Sequence, residues 1–246
     1  MLCSRKIDSV IEPLPPGFSI VLTGTIIPNS SFVARGEIEK RRQDYLNAIK
    51  HYTRYGPVIF LENSSHDLLH DGAFSGIPNL ELRKFPASAN PHRGKGYQEF
   101  EMMDAWIASN QNLPDRFIKI TGRYLVCNFN DICRDCQQLQ HAPFVMDLYR
   151  SRKFAATNLF GASAESYRKY FLGKYRECDD DTGLWIERVL FKHIRNESIE
   201  THLFPHEPYI AGISGSSGKN LAPNPVSYVF KKIRRRICHL LNRREL

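Results

Sequence analysis

A doubly wound α/β domain, its sheet mostly parallel and flanked by helices, is the architecture this sequence leads one to expect. Short β-branched runs closed by turn residues alternate with stretches of helical period, the pattern of βαβ units. The 246 residues are 42% hydrophobic and 24% charged, enough apolar material for one sizeable core and too much for a disordered chain. No apolar run approaches the roughly 20 residues of a membrane-spanning helix.

Phe-Ser-Ile-Val-Leu-Thr-Gly-Thr-Ile-Ile at residues 18–27 reads as a buried strand ended by Pro28. A helix over 36–55 follows, with Ile38, Tyr45, Leu46, Ile49 and Tyr52 near helical spacing, and Gly56-Pro57 stops it. Val58 to Leu61 is a second buried strand, which makes the first unit βαβ and its sheet parallel. Leu80 to Phe85 is a more exposed third strand, and a Pro/Gly/basic loop from Pro86 leads into a helix over Tyr97–Ser109. Arg116 to Ile120 is a strand, Thr121-Gly122-Arg123 a turn, and Tyr124 to Val126 a short continuation. Strands are expected at 144–148 and 154–160 and helices at 163–172 and 182–195. Residues 204–225, rich in Pro, Gly and Ser, read as a flexible linker between a domain of residues 1–203 and a terminal helix of residues 226–246.

The net charge of +8 is a property of the tail, since residues 231–246 hold seven Lys/Arg and one Glu and leave the rest at +2. A nucleic-acid-binding body, which would carry a basic stripe through the fold, is not expected. In the tail, Val226, Val229, Phe230, Ile233, Ile237, Leu240 and Leu241 repeat at helical spacing, with Lys231, Lys232, Arg234, Arg235 and Arg236 mostly on the other face. A basic amphipathic helix of this kind predicts an anchor to an anionic membrane surface, and a helix packed on the domain is the plainer alternative. Residues 1–18 contain no apolar segment of a secretory leader, so the expectation is a cytoplasmic protein, peripheral on the inner face of the membrane.

Of the six cysteines, only Cys133 and Cys136 have metal-knuckle spacing, and Cys127 is nearby. A structural zinc site wants a second pair, for which only His141 and Cys178 offer themselves, so reduced thiols are the reading. The dinucleotide fingerprint, the phosphate loop and the Gly-x-Ser-x-Gly elbow are all absent; Gly215 to Asn220 mimics the second without its strand or its Ser/Thr.

Ligands of open α/β sheets bind at the carboxyl ends of the parallel strands. The polar clusters predicted there are Thr23-Gly24-Thr25, Glu62-Asn63-Ser64 and Lys119 to Arg123. Each also has a plain reading, respectively a tight turn, an Asx turn or helix cap, and a solvated strand end with an ion pair.

Together with Arg41-x-x-x-Tyr45, Lys95-Gly96-x-x-Glu99 and Ile186-Glu187, the segments Leu22 to Ile26, Leu61 to Ser64 and Lys119 to Arg123 follow one another in an order that resembles bacterial glycosyltransferases of capsule or lipopolysaccharide synthesis. The resemblance spans about residues 18–195 and implies a GT-A-like fold that binds a nucleotide sugar and passes the sugar to a lipid-linked or membrane-proximal glycan. Thr23, Gly24, Thr25, Arg41, Glu62, Asn63, Ser64, Lys95, Gly96, Glu99, Lys119, Thr121, Gly122 and Arg123 would then surround the donor. It further implies an acidic residue near residue 187 as acceptor contact or base, so Glu187 is a candidate; Asp147 is its rival, and a buried salt bridge to Arg188 or Lys192 is the plain alternative for Glu187.

The sequence departs from such enzymes where an Asp-x-Asp metal motif would follow the central strand, because Thr121-Gly122-Arg123 stands there. Fixed cations can stabilise a diphosphate leaving group, and Lys119, Arg123 and Lys95 could take a metal's part. No cofactor is therefore expected, and a divalent metal is possible but not strictly required, with Asp179-Asp180-Asp181 as the carboxylates to watch. A nucleotidyltransferase of related fold and a noncatalytic membrane-associated scaffold are the alternatives.

Overall fold

The computed structural model of the chain describes residues 10–29, 37–109, 111–214, 218–241 and 243–246. Strands β1 (Phe18–Gly24), β2 (Val58–Glu62), β3 (Leu80–Lys84) and β4 (Arg116–Thr121) are mutually parallel, with β1 between β2 and β4. Beyond β4 the main sheet continues through β7 (Phe154–Ser163), β6 (Phe144–Tyr149) and the two-residue β8 (Thr201–His202), in the order β3-β2-β1-β4-β7-β6-β8. Only β7 is reversed, because it pairs antiparallel with both β4 and β6 while β6 and β8 run parallel. A two-stranded ribbon joins β5 (Leu125–Val126) to β9 (Ile210–Ala211).

Alternation along β1 divides the core into two layers. Ile20 and Leu22 join the cluster under α1 (Ile38–Tyr52) and α3 (Phe129–Gln138), whereas Val21 joins the cluster under α2 (Lys95–Ser109), α4 (Ala164–Tyr170) and α5 (Ile186–Asn196). Tyr45, Ile49 and Tyr52 recur at intervals of four and three, so α1 lays one face on the sheet. Its polarity suits the helix dipole, with Glu39 in the first turn and Lys50 and His51 in the last. Helix α2 buries Tyr97, Phe100, Met103, Trp106 and Ile107, and Phe100 stacks on Phe160 at 6.2 Å.

Three features depart from expectation. Helix α3 fills a stretch for which no element was expected; its Cys133 and Cys136 are free thiols in the core, in keeping with the reduced-thiol reading, and burial pushes the Cys133 thiol up to about 12. Cys127 is disulfide-bonded, so the expectation of six reduced thiols is corrected for it. Residues 204–211, expected in a flexible linker, are docked on the domain. Phe204 and Glu207 are buried, and the Cys127 N–H reaches the Tyr209 carbonyl at 2.8 Å. The Gly215 to Asn220 stretch lies in part outside the described residues.

The terminal helix, α6 (Pro225–Leu240), starts at an Asn224 side chain that accepts the Ser227 N–H. Arg235, expected on a solvated basic face, is instead buried. Its guanidinium meets both carboxylate oxygens of Asp147 (2.7 and 2.5 Å), Glu207 (2.7 Å) and the Phe204 carbonyl (2.8 Å). Burial of this cation would lower its pKa, but the two carboxylates more than offset that and hold the proton firmly.

Candidate active site

A cavity of about 1000 Å³ opens at the carboxyl ends of β1 and β4. The chain leaves β1 towards β2 on one side, while β4 lies on the other, so the connections diverge and the sheet edge between them is left uncovered. Because β7 is antiparallel, its first half, not its end, borders the same opening and contributes Phe154, Thr157 and Asn158.

One wall is cationic. Gly122 donates its N–H to the Thr23 carbonyl at 2.9 Å, and a Cβ there would sit 2.7 Å from that oxygen, so only glycine lets the turn close this tightly on β1. The closure swings Arg123 onto the cavity. Arg123 is 8% exposed, and its Nε and Nη1 are buried with no hydrogen-bond partner among the described residues. Its guanidinium carbon lies 5.9 Å from the ring centroid of Tyr45, whose hydroxyl accepts the Thr25 N–H at 2.9 Å. Arg41, also lining the cavity, donates to the Thr25 and Ile26 carbonyls and so stitches the loop after β1 to α1. Lys95, at the start of α2, completes the wall. Burial lowers its pKa; nearby Asp180 counters this, while Arg123 and Arg41 add to it.

The cavity also carries acids. Glu187, in the first turn of α5, accepts the Thr157 hydroxyl at 3.1 Å. Burial raises its pKa, and the nearby Glu99 carboxylate pushes in the same direction. Arg188 turns away to the Gly183 carbonyl and lies over the Trp185 ring at 4.5 Å, so the salt bridge considered for Glu187 is not made to it. Glu99 binds Lys119 at 2.7 Å and takes the Thr23 hydroxyl. A Cβ on Gly96 would meet Ile186 Cγ2 at 2.6 Å, which shows how closely α2 and α5 must approach to bring these two acids onto one cavity.

The structure therefore divides the sequence-derived site residues. Thr23, Gly24, Thr25, Arg41, Lys95, Gly96, Glu99, Thr121, Arg123 and Glu187 line the cavity, and Gly122 shapes it. Lys119 does not reach it: its ammonium is fully buried against Glu99 and the Thr157 carbonyl (2.7 Å), so its charge is already neutralised. Glu62, Asn63 and Ser64 stand behind it as braces. Glu62 accepts the Ile26 and Ser64 N–H groups at 3.0 Å and pairs with Lys84, Asn63 takes the Thr25 hydroxyl at 2.7 Å, and Ser64 takes the Ile27 N–H at 3.1 Å. Asp147 lies outside the cavity, held by Arg235, and is removed as the rival base. Tyr45, Thr157, Asn158, Asp180 and Trp185 line the cavity without having been singled out as donor- or base-side residues.

Carboxylates that could hold a divalent metal were tested in place. Asp180 and Asp181 border the cavity, but Asp180 is engaged with the Lys95 backbone N–H, and burial raises its pKa. Among the described residues, no three His, Cys, Asp or Glu side chains converge as a metal site. Asp180 and Asp181 alone do not make an all-protein metal cage.

No family model matches the sequence, and no curated protein matches it. Among solved structures, a protein assigned as a nucleotide-diphospho-sugar transferase from Desulfovibrio desulfuricans G20 is similar at 13% identity and a TM-score of 0.48, over 76% of this chain and 79% of its own. A protein assigned as a glucose-1-phosphate thymidylyltransferase from Bacillus anthracis aligns at 11% identity and a TM-score of 0.44, over 89% and 94%. A CMP:2-keto-3-deoxy-manno-octonic acid synthetase complexed with CTP aligns at 9% identity and a TM-score of 0.47, over 90% and 98%. These likenesses are distant, and what the cavity can bind is read from its own side chains.

Proposed function

We propose that the protein is a glycosyltransferase that moves a sugar from a nucleoside-diphosphate donor to a hydroxyl of a lipid-linked or membrane-proximal glycan in surface-polysaccharide synthesis. One observation carries the donor half of this reading: Arg123 lines a large cavity at the strand ends, and its buried Nε and Nη1 have no hydrogen-bond partner among the described residues. Leaving such a group unpaired costs free energy in the empty protein, and an anion with paired oxygens is the partner its fork fits. Arg41 and Lys95 border the same space, so a diphosphate there meets positive charge that needs no rearrangement.

In the reaction, the acceptor oxygen forms a bond to the anomeric carbon as the bond from that carbon to the diphosphate breaks. The electron pair of the broken bond leaves with the nucleoside diphosphate, and the acceptor proton passes to Glu187 Oε. Thr157 orients that carboxylate, and burial gives it a stronger proton affinity than an exposed glutamate has. Glu99, fixed by Lys119 and Thr23, offers an acceptor for sugar hydroxyls. The glycan acceptor is the class implied by the sequence resemblance.

The test is thermal unfolding of the full chain with nucleoside diphosphates, paired with product analysis. A rise in Tm with a nucleoside diphosphate, absent in Arg123→Gln, supports the reading. Release of pyrophosphate from a nucleoside triphosphate and a sugar phosphate would transfer the assignment to nucleotidyl transfer. No ligand response in the wild type would leave the donor half of the proposal without foundation.

A further inference from the structure

Helix α6 is mounted the opposite way round from a core helix. Tyr228, Arg235 and Cys238 turn toward the domain: the Tyr228 hydroxyl donates to the Glu207 carbonyl at 2.9 Å, and Arg235 and Cys238 are buried. With 3.6 residues per turn, Arg235 points to the side opposite the stripe of Val226, Val229, Phe230, Ile233, Ile237 and Leu240. That stripe is left outside, with Phe230 67%, Ile233 48% and Leu240 84% exposed. Arg234 flanks it on one side and Arg236 and Lys232 on the other, all three exposed. Residues 225–240 contain no acidic side chain.

The attachment explains the orientation. Burial of Arg235 between Asp147 and Glu207 fixes which side of the helix faces in, and the apolar residues follow on the far side. Turning the helix over would take Arg235 away from Asp147 and Glu207 and leave the two carboxylates without their counter-ion. Nothing among the described residues covers the stripe, and no described helix is long and apolar enough to cross a membrane.

We infer that the outer face of α6 is a docking surface for an anionic lipid bilayer, with the apolar stripe entering the acyl boundary and the flanking cations resting on headgroup phosphates. Charge selects this occupant. A second copy of the same face would set uncompensated Lys and Arg against their own kind, whereas anionic lipid complements both rows at once. An apolar stripe bordered on both sides by cations is the pattern of a helix lying in the membrane interface. The inference does not depend on the donor chemistry proposed above, and its failure would leave that chemistry untouched.

Co-sedimentation of the full chain with vesicles of phosphatidylcholine alone, and of phosphatidylcholine with phosphatidylglycerol, tests it. Binding is expected only to the mixed vesicles and weakens as salt is raised. Phe230→Ser and Ile233→Ser each lower the partition coefficient tenfold or more by removing apolar burial. Arg234→Gln or Arg236→Gln lowers it about fivefold apiece, the effect of one charge near an anionic surface. All four positions are exposed, so a circular-dichroism spectrum and an unliganded Tm equal to those of the wild type verify that each variant is folded. Equal recovery with both vesicle types, or no vesicle binding at all, overturns the proposal. So does a concentration-dependent dimer in sedimentation velocity that Phe230→Ser dissolves, because it would give the face to a second copy.

Discussion

Arg123 shows how a single side chain can be held ready at a cost. Its unpaired nitrogens lie in the protein interior, and a buried charge without a partner is one of the more destabilising features a fold can carry. Arg123→Met should therefore raise the Tm of the unliganded protein while abolishing its response to a nucleoside diphosphate. Arg123→Lys keeps the charge and loses the fork, and nucleoside-diphosphate affinity measured by calorimetry should fall about tenfold or more. Glu187 is a question of turnover rather than binding. Glu187→Gln should lower kcat by roughly 10² to 10⁴ with donor affinity little changed. The sign of the pH effect follows from burial: a base must be ionised, and the carboxyl gives up its proton at a higher pH than an exposed glutamate does. Wild-type activity should thus drop on the acid side with a midpoint above the ordinary glutamate range, and an acid limb at or below that range would count against Glu187. Among single residues, the sequence pointed to Arg123 and Glu187 but could not separate Lys119 from Arg123. Both are cations at one strand end, and only the fold reveals that Glu99 already neutralises Lys119.

Elements were legible to the extent that their signals are local. The strands β1, β2 and β4 and the helices α1 and α2 announce themselves by short β-branched runs and by helical spacing, and the structure contains each. Helix α3 was equally visible in principle, since Phe129, Ile132, Cys133 and Cys136 fall at helical spacing and are all buried. It was hidden because the spacing of Cys133 and Cys136 was weighed only for a metal knuckle, and their reading as reduced thiols was not carried on to small apolar side chains on a helix face. The reversal of β7 could not be seen, for strand direction is decided by partners far along the chain. Nor could the role of Arg235, one of five neighbouring cations whose partner Asp147 is 88 positions away. That ion cluster governs a prediction at this scale. Asp147→Asn removes half of the charge facing Arg235 and should cost about 3–5 kcal/mol of stability, read by denaturant unfolding, without a matching loss of kcat in the fraction that remains folded. A large fall in kcat at unchanged stability would return Asp147 to the list of candidate bases.

On the scale of the whole molecule, charges are sorted by place. The cavity carries both fixed cations and acids, while the excess positive charge of the chain is collected on the terminal helix. Transfer should accordingly persist in excess chelator, because Arg123, Arg41 and Lys95 already supply what a metal would bring to a diphosphate. Activity lost in chelator and restored by manganese or magnesium would shift attention to Asp180 and Asp181, which border the same space. Removing residues 226–246 is not a clean way to detach the helix, because it strips Arg235 from Asp147 and Glu207. The same contact has a consequence for the order in which the molecule is made. A chain growing from its amino terminus presents Asp147 first, then Glu207, and Arg235 last of the three. Until the ribosome releases that arginine, the two carboxylates have no counter-ion and must remain hydrated, so this side of the nascent domain cannot settle. The segment that carries Arg235 is the one that locks the sheet's far side, and a ribosome stalled before residue 235 would hold a chain whose cavity half can form while its opposite half stays open.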